Sequence, residues 1–140
     1  MKVIVVDDEP VVLRMIKLFL EAKGLAVLAA ACGEEGWDLI GKHGSSIGAL
    51  VTDYMMPGIS GWELARRTRQ SGHTFPIIII SGYLHEAMQT EDFECMGKPL
   101  DFKKLASTLL NKDTGNINNA NSNHTHALAT SQSGSFRIFG

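Results

Sequence analysis

The chain has 140 residues, 44% of them hydrophobic and 20% charged, with a formal net charge of −2. That length suits one domain, and the near-neutral balance excludes a nucleic-acid binder that relies on a basic surface. Two cysteines cannot build a disulfide framework. The longest apolar runs, Val3–Val6 and Ile77–Ile80, are too short to cross a bilayer. The N-terminus turns acidic at Asp7, Asp8 and Glu9, unlike a signal peptide, so the expectation is a soluble cytoplasmic protein with no membrane or nucleic-acid partner.

Lys2–Val6 is a β-branched run that ends in acids and reads as a buried central strand. Pro10 then suits the first turn of a helix. Val12, Leu13, Ile16, Phe19 and Leu20 recur at helical spacing, and Gly24 is a stop signal. Leu25–Ala31 reads as a weaker strand, Glu34–His43 as a helix facing inward through Trp37 and Ile40, and Ala49–Thr52 as a third strand ending at Asp53. Trp62–Gln70 follows as a helix, with Trp62 and Ala65 inward and Arg66, Arg67 and Arg69 on a solvated face. Pro76–Ile80 is the most apolar strand. A short helical piece at Leu84–Gln89, a poor strand at Phe93–Met96, and a helix capped by Asp101 with Phe102, Leu105 and Leu109 inward complete the pattern.

Strands alternating with helices imply an α/β fold: a doubly wound five-stranded parallel sheet with helices on both faces and right-handed crossovers. The composition shifts near residue 111. Of the 29 residues from Lys112 to Gly140, 16 are Asn, Ser, Thr, Gly or Gln, so residues 1–111 read as the folded domain and 112–140 as a disordered polar tail. The tail's sequon at Asn123 and its His124 and His126 read as solvated, without a function.

In such a sheet, ligands bind beyond the carboxyl ends of the strands. Strand one ends in Asp7-Asp8, strand three in Asp53 and strand four in Ser81, and Lys98 follows strand five. Each alone has a bland reading, as a cap, a turn residue or a surface lysine. Together they bring three carboxylates, a hydroxyl and an ammonium to one edge. Two carboxylates about 4 Å apart repel by roughly 4 kcal/mol at an effective dielectric near 20, so three ask for a cation. An all-oxygen set suits Mg²⁺, and Lys98 adds a second positive charge suited to a transferring phosphoryl group.

Asp7-Asp8, Asp53 followed by Met56-Pro57-Gly58 and Gly61, then Ser81 and Lys98-Pro99, resemble the receiver domain of two-component response regulators over about residues 2–110. The resemblance implies a flavodoxin-like strand order 2-1-3-4-5. It makes Asp53 the phosphoacceptor, attacking a phosphohistidine to form an acyl phosphate. It makes Asp8 a direct Mg²⁺ ligand, Asp7 a ligand through water, and the main-chain carbonyl of Met55 a further ligand. Ser81 and Lys98 would each hold a phosphoryl oxygen, and the Lys98-Pro99 bond is typically cis in the family. The implied partners are a histidine kinase or histidine phosphotransfer protein and a downstream protein. The implied role is a stand-alone signalling module in a phosphorelay, not an enzyme acting on other substrates.

The sequence departs from the family pattern in places. Cys95 stands three positions before the lysine, where receivers usually carry an aromatic switch residue, and Met96 beside it is not aromatic either. Tyr83 is either a replacement or simply a loop residue. Ser81 and Lys98 are 17 positions apart, fewer than is common, so the fourth helix should be short. Gly82 stands where a small alanine is more usual. Gly36 and Thr68 replace apolar or alanine helix positions and read as structural weaknesses. Cys32 and Cys95 should be thiols at opposite sheet edges. Two other functions compete: a degenerate receiver that binds partners without phosphorylation, and a haloacid-dehalogenase-type phosphatase. The latter places its nucleophile in an Asp-x-Asp motif after the first strand, where this chain has adjacent acids.

Overall fold

The computed structural model describes residues 1–83 and 92–112. Its elements are β1 (Lys2–Val6), α1 (Pro10–Ala22), β2 (Ala26–Ala30), α2 (Gly33–His43), β3 (Ile47–Asp53), α3 (Gly61–Gln70), β4 (Ile77–Ser81) and β5 (Glu94–Gly97), followed by a helix over residues 102–112. The strands form one sheet in the order β2-β1-β3-β4-β5, parallel at every pairing. This is the expected doubly wound, flavodoxin-like fold. The short helix predicted at Leu84–Gln89 and the polar segment from residue 113 onward lie outside the described residues.

Alternation along each central strand builds two cores. Val3, Val5, Val51, Ile78 and Ile80 face one side, where Ile16 and Leu20 of α1 and Leu105 and Leu109 of the closing helix cover them. Ile4, Val6, Leu50, Ile77 and Ile79 face the other, under Ile40 of α2 and Leu64 and Ala65 of α3. A strand apolar on both faces is therefore a strand with a helix layer on each side. Burying each such Val, Leu or Ile side chain contributes about 1.5–3 kcal/mol before chain entropy is set against it. No helix among the described residues is long and apolar enough to cross a membrane.

Local signals act as their chemistry requires. Pro10 opens α1, and Gly24 follows it at φ +93°, a conformation glycine adopts without steric penalty. The Ser60 hydroxyl accepts the Glu63 N–H at 3.1 Å, capping α3. Asp101 accepts the Lys104 N–H at 3.0 Å, capping the closing helix as expected. Lys112, the last described residue, is helical and pairs with Glu94 at 3.3 Å.

Three details differ from the sequence reading. Gly36 is no weakness: a Cβ there would lie 2.8 Å from a Val6 methyl and 3.2 Å from a Leu64 methyl, so its absence lets α2 sit close to β1 and α3. Thr68 is fully buried, and its hydroxyl donates to the Leu64 carbonyl at 2.8 Å, which satisfies it. Arg66 and Arg67 lie along α3 paired with Glu63, but Arg69 leaves the solvated face. It donates to the His73 carbonyl at 3.1 Å and the Asp92 carbonyl at 2.8 Å, tying α3 to the segment that precedes β5.

Candidate functional site

Strand register brings the chemistry-bearing residues together. Val6 pairs with Thr52, so the next residues, Asp7 and Asp53, emerge side by side. Ser81 pairs with Gly97, so Lys98 leaves β5 beside Ser81, and its N–H donates to the Ser81 carbonyl at 3.0 Å. Each of these residues is the last of its strand or the first beyond it. There the last bonds of the ladder hold the backbone, as from the Asp7 N–H to the Ala30 carbonyl at 3.1 Å, and the side chains collect at the carboxyl edge of the sheet.

Asp7 and Asp53 are buried, 2% and 4% exposed, whereas Asp8 is exposed. One carboxylate oxygen from each of the three lies within 4.8 Å of the others. Asp7 accepts the Glu9 N–H at 2.9 Å. Even so, burial is the largest influence on it and lifts its carboxyl above the ordinary value, with the Asp53 charge adding to the rise. Lys98 reaches back so that its Nζ lies 2.8 Å from Asp53 Oδ1. That hydrogen bond is the main reason its ammonium titrates above the ordinary lysine value. The Lys98-Pro99 bond is cis. One ammonium against three carboxylates leaves surplus negative charge in a pocket of hard oxygen donors. That donor chemistry fits Mg²⁺ better than a soft or nitrogen-seeking metal.

Ser81 is buried. Its hydroxyl donates to the Tyr83 carbonyl at 2.8 Å and accepts the Tyr83 N–H at 3.1 Å. Beyond Asp53 the chain turns sharply. The Tyr54 N–H donates to the Ile80 carbonyl at 2.8 Å, and the Gly61 N–H to the Tyr54 carbonyl at 2.9 Å. The Gly61 Cα lies so close to the Asp53 carbonyl that a side chain there would collide with it. Met55 sits in this loop with its side chain in solvent. Cys95 packs on the core face that holds Phe93, whose ring meets Trp62 edge-on with centroids 5.2 Å apart. Neither cysteine is in a disulfide.

The carboxylates of Asp7, Asp8 and Asp53 lie together and the Lys98 ammonium reaches Asp53, whereas Ser81 ends the neighbouring strand with its hydroxyl turned to Tyr83. Sequence reasoning did not find Glu34, on α2, whose carboxylate reaches the loop after Asp53. The two segments are 25 residues apart, and no local pattern connects them.

The sequence profile of the response regulator receiver domain matches residues 3–110. The response regulator GtcR of Aneurinibacillus migulanus is 33% identical over 79 residues, 56% of this chain and 31% of that protein. The sensor kinase CckA of Brucella abortus is 30% identical over 112 residues, 76% of this chain and 12% of that protein. The chain therefore spans a third or less of the length of these relatives. Among solved structures, the receiver domain of the hybrid histidine kinase CckA is similar at a TM-score of 0.70 and 32% identity, covering 80% of this chain and 98% of that one. A response regulator receiver domain from Clostridium thermocellum is similar at 0.74 and 30%, covering 83% and 96%. With the fold, the strand-end residues and the sequence match in agreement, the chain belongs to the response regulator receiver domain family of two-component signalling systems.

Proposed function

We propose that this protein accepts a phosphoryl group onto Asp53 from the phosphohistidine of a histidine kinase or histidine phosphotransfer protein, and that the change alters its binding to a downstream protein. The observation that carries this is the Asp53 carboxylate itself. It is buried, bonded to Lys98 at 2.8 Å and grouped with Asp7 and Asp8. A purely structural carboxylate has no use for two acidic neighbours.

In the transfer, an Asp53 carboxylate oxygen attacks phosphorus and forms the P–O bond. The P–N bond breaks, and its electron pair leaves with the imidazole nitrogen. Lys98 offsets charge on a phosphoryl oxygen, and Ser81 donates its hydroxyl to another. Asp8 directly, Asp7 through water, Asp53 and the Met55 carbonyl would hold Mg²⁺, which when bound neutralises charge on the phosphoryl oxygens. The chain's catalysis is confined to its own phosphorylation and dephosphorylation.

The Ser81 hydroxyl can reach a phosphoryl oxygen only by giving up its bond to the Tyr83 carbonyl. The loop at 81–83 is therefore the first part to respond, which favours Tyr83 over Cys95 as the residue that reports occupancy. Full conversion from 1% to 99% active needs a differential affinity of roughly 5.5 kcal/mol. Val11, Met15 and Leu18 lie exposed at helical spacing on α1, beginning four residues after Asp7. They offer an apolar surface for the donor protein next to the acceptor.

The test is intact mass after exposure to acetyl phosphate, with and without Mg²⁺. One phosphoryl addition that needs Mg²⁺ and vanishes in Asp53→Asn is expected. No addition, or addition that persists in Asp53→Asn, overturns the reading.

A further inference from the structure

The loop between Asp53 and α3 is clasped from outside by the start of α2, through three contacts. A Cβ on Gly33 would lie 2.6 Å from the Ile59 carbonyl oxygen, so helix and loop touch there backbone to backbone. Glu34 Oε2 accepts the Ile59 N–H at 3.3 Å. Gly58, at φ +77°, turns its Cα toward that same carboxylate oxygen, and a Cβ there would lie 2.6 Å from it.

The clasp stands on a fixed base. Gly36 seats α2 against Val6 and Leu64, and Glu35 ties the helix start to the Ala31 N–H at 2.8 Å. The far side of the loop is anchored separately, by the Tyr54 and Gly61 backbone bonds and by the Ser60 cap. Between these anchors, the Glu34 carboxylate is the side chain that meets the backbone of Gly58 and Ile59. Glycine itself has the widest choice of backbone conformations, so the chain at Gly58 depends on outside contacts to stay in one of them.

We infer that Glu34 is a positioning residue for the metal-binding half of the site. It holds the loop of residues 54–60 so that the Met55 main chain presents one geometry toward the Asp7–Asp8–Asp53 group. The inference rests on the proposed function, which assigns the Met55 carbonyl to Mg²⁺. Glu34 touches neither metal nor phosphoryl group; its effect passes through the backbone it bonds.

The test is Mn²⁺ binding to the full chain, followed by the electron paramagnetic resonance signal of the free ion, in the wild type, Glu34→Ala, Glu34→Gln and Asp53→Asn. Losing a hydrogen bond to a charged acceptor should weaken Mn²⁺ binding in Glu34→Ala by about three- to tenfold. Glu34→Gln keeps an acceptor oxygen and should stay within about twofold of the wild type. Both variants lose the same charge, so equal weakening in the two would assign the effect to charge and overturn the inference. Glu34→Ala binding as tightly as the wild type would also overturn it. A wild type that takes up no Mn²⁺, or an Asp53→Asn protein that binds it unchanged, would instead sink the proposed function and the inference with it. Glu34 is exposed, so both of its variants should fold.

Discussion

Ser81 and Tyr83 are bonded to each other twice. The Ser81 hydroxyl donates to the Tyr83 carbonyl at 2.8 Å and accepts the Tyr83 N–H at 3.1 Å. A hydroxyl has one proton to give, so this closed pair excludes donation to a phosphoryl oxygen at the same time. Ser81→Ala should therefore still take a phosphoryl group onto Asp53, about 10- to 100-fold more slowly, for want of one charge-assisted hydrogen bond. In that variant the Tyr83 amide resonance should no longer move on phosphorylation. A Tyr83 shift of wild-type size in Ser81→Ala would separate the hydroxyl from the switch.

Lys98 pairs with Asp53, one of the carboxylates proposed to hold a divalent cation. With Lys98 replaced by Met, the pocket loses the ammonium 2.8 Å from Asp53 and should bind Mg²⁺ more tightly. Two unit charges about 4 Å apart interact by roughly 1 kcal/mol even at water's dielectric, so the ammonium's repulsion of a divalent ion at that range is about 2 kcal/mol, or roughly thirtyfold in affinity. The phosphorylation rate should fall in the same protein, because transfer loses a stabilising charge. Calorimetric titration with Mg²⁺ and a phosphorylation time course read the two effects separately, and their opposite signs are the prediction.

Asp7 carries a pH signature. Its folded-state carboxyl lies above the ordinary value of 3.8, chiefly through burial. Between those two values the folded chain binds more protons than the unfolded one, so stability falls as pH rises through that window. Above it the full penalty remains. Asp7→Asn removes the penalty and should raise the melting temperature of the metal-free protein near neutral pH by about 2–6 °C. The gain should vanish below pH 4. Melting curves at pH 3.5 and pH 7 without metal test this, and a lower melting temperature for Asp7→Asn at pH 7 would contradict it.

Two glycines stand where elements approach closely, one of them against the acceptor. Gly61→Ala forces a methyl group against the Asp53 carbonyl. It should destabilise the fold by about 2–4 kcal/mol and weaken phosphorylation, since the backbone of the acceptor itself must move. Gly36→Ala meets the buried Val6 and Leu64 side chains rather than backbone, so about 1–3 kcal/mol is expected, with transfer intact. Urea unfolding and intact-mass phosphorylation on both variants measure the contrast.

Cys95 is chemically quiet. Burial, aided by the neighbouring Glu94 charge, pushes its thiol up to about 11. Alkylation by iodoacetamide in a Cys32→Ser protein should be slow at pH 8 and accelerate toward pH 11. Rapid labelling at pH 7 would contradict this.

The residues by themselves determined the alternation of strand and helix, because apolar spacing is a local property: Val3–Val6 has room for one conformation and the α1 pattern for another. They also identified the strand ends as the place for Asp7, Asp8, Asp53, Ser81 and Lys98, since topology alone sends the carboxyl ends of parallel strands to one edge. Distances between those residues were not local. That Asp53 meets Lys98 rather than solvent follows from register across three strands. That Gly36 is a contact surface and Arg69 a tether follows from how closely helices seat on the sheet and on the segment before β5. The reach of Glu34 to Ile59 joins residues 25 apart through two glycines on separate elements. Helical and strand periods constrain neighbours a few positions away, whereas contacts between distant segments are decided only when the layers pack.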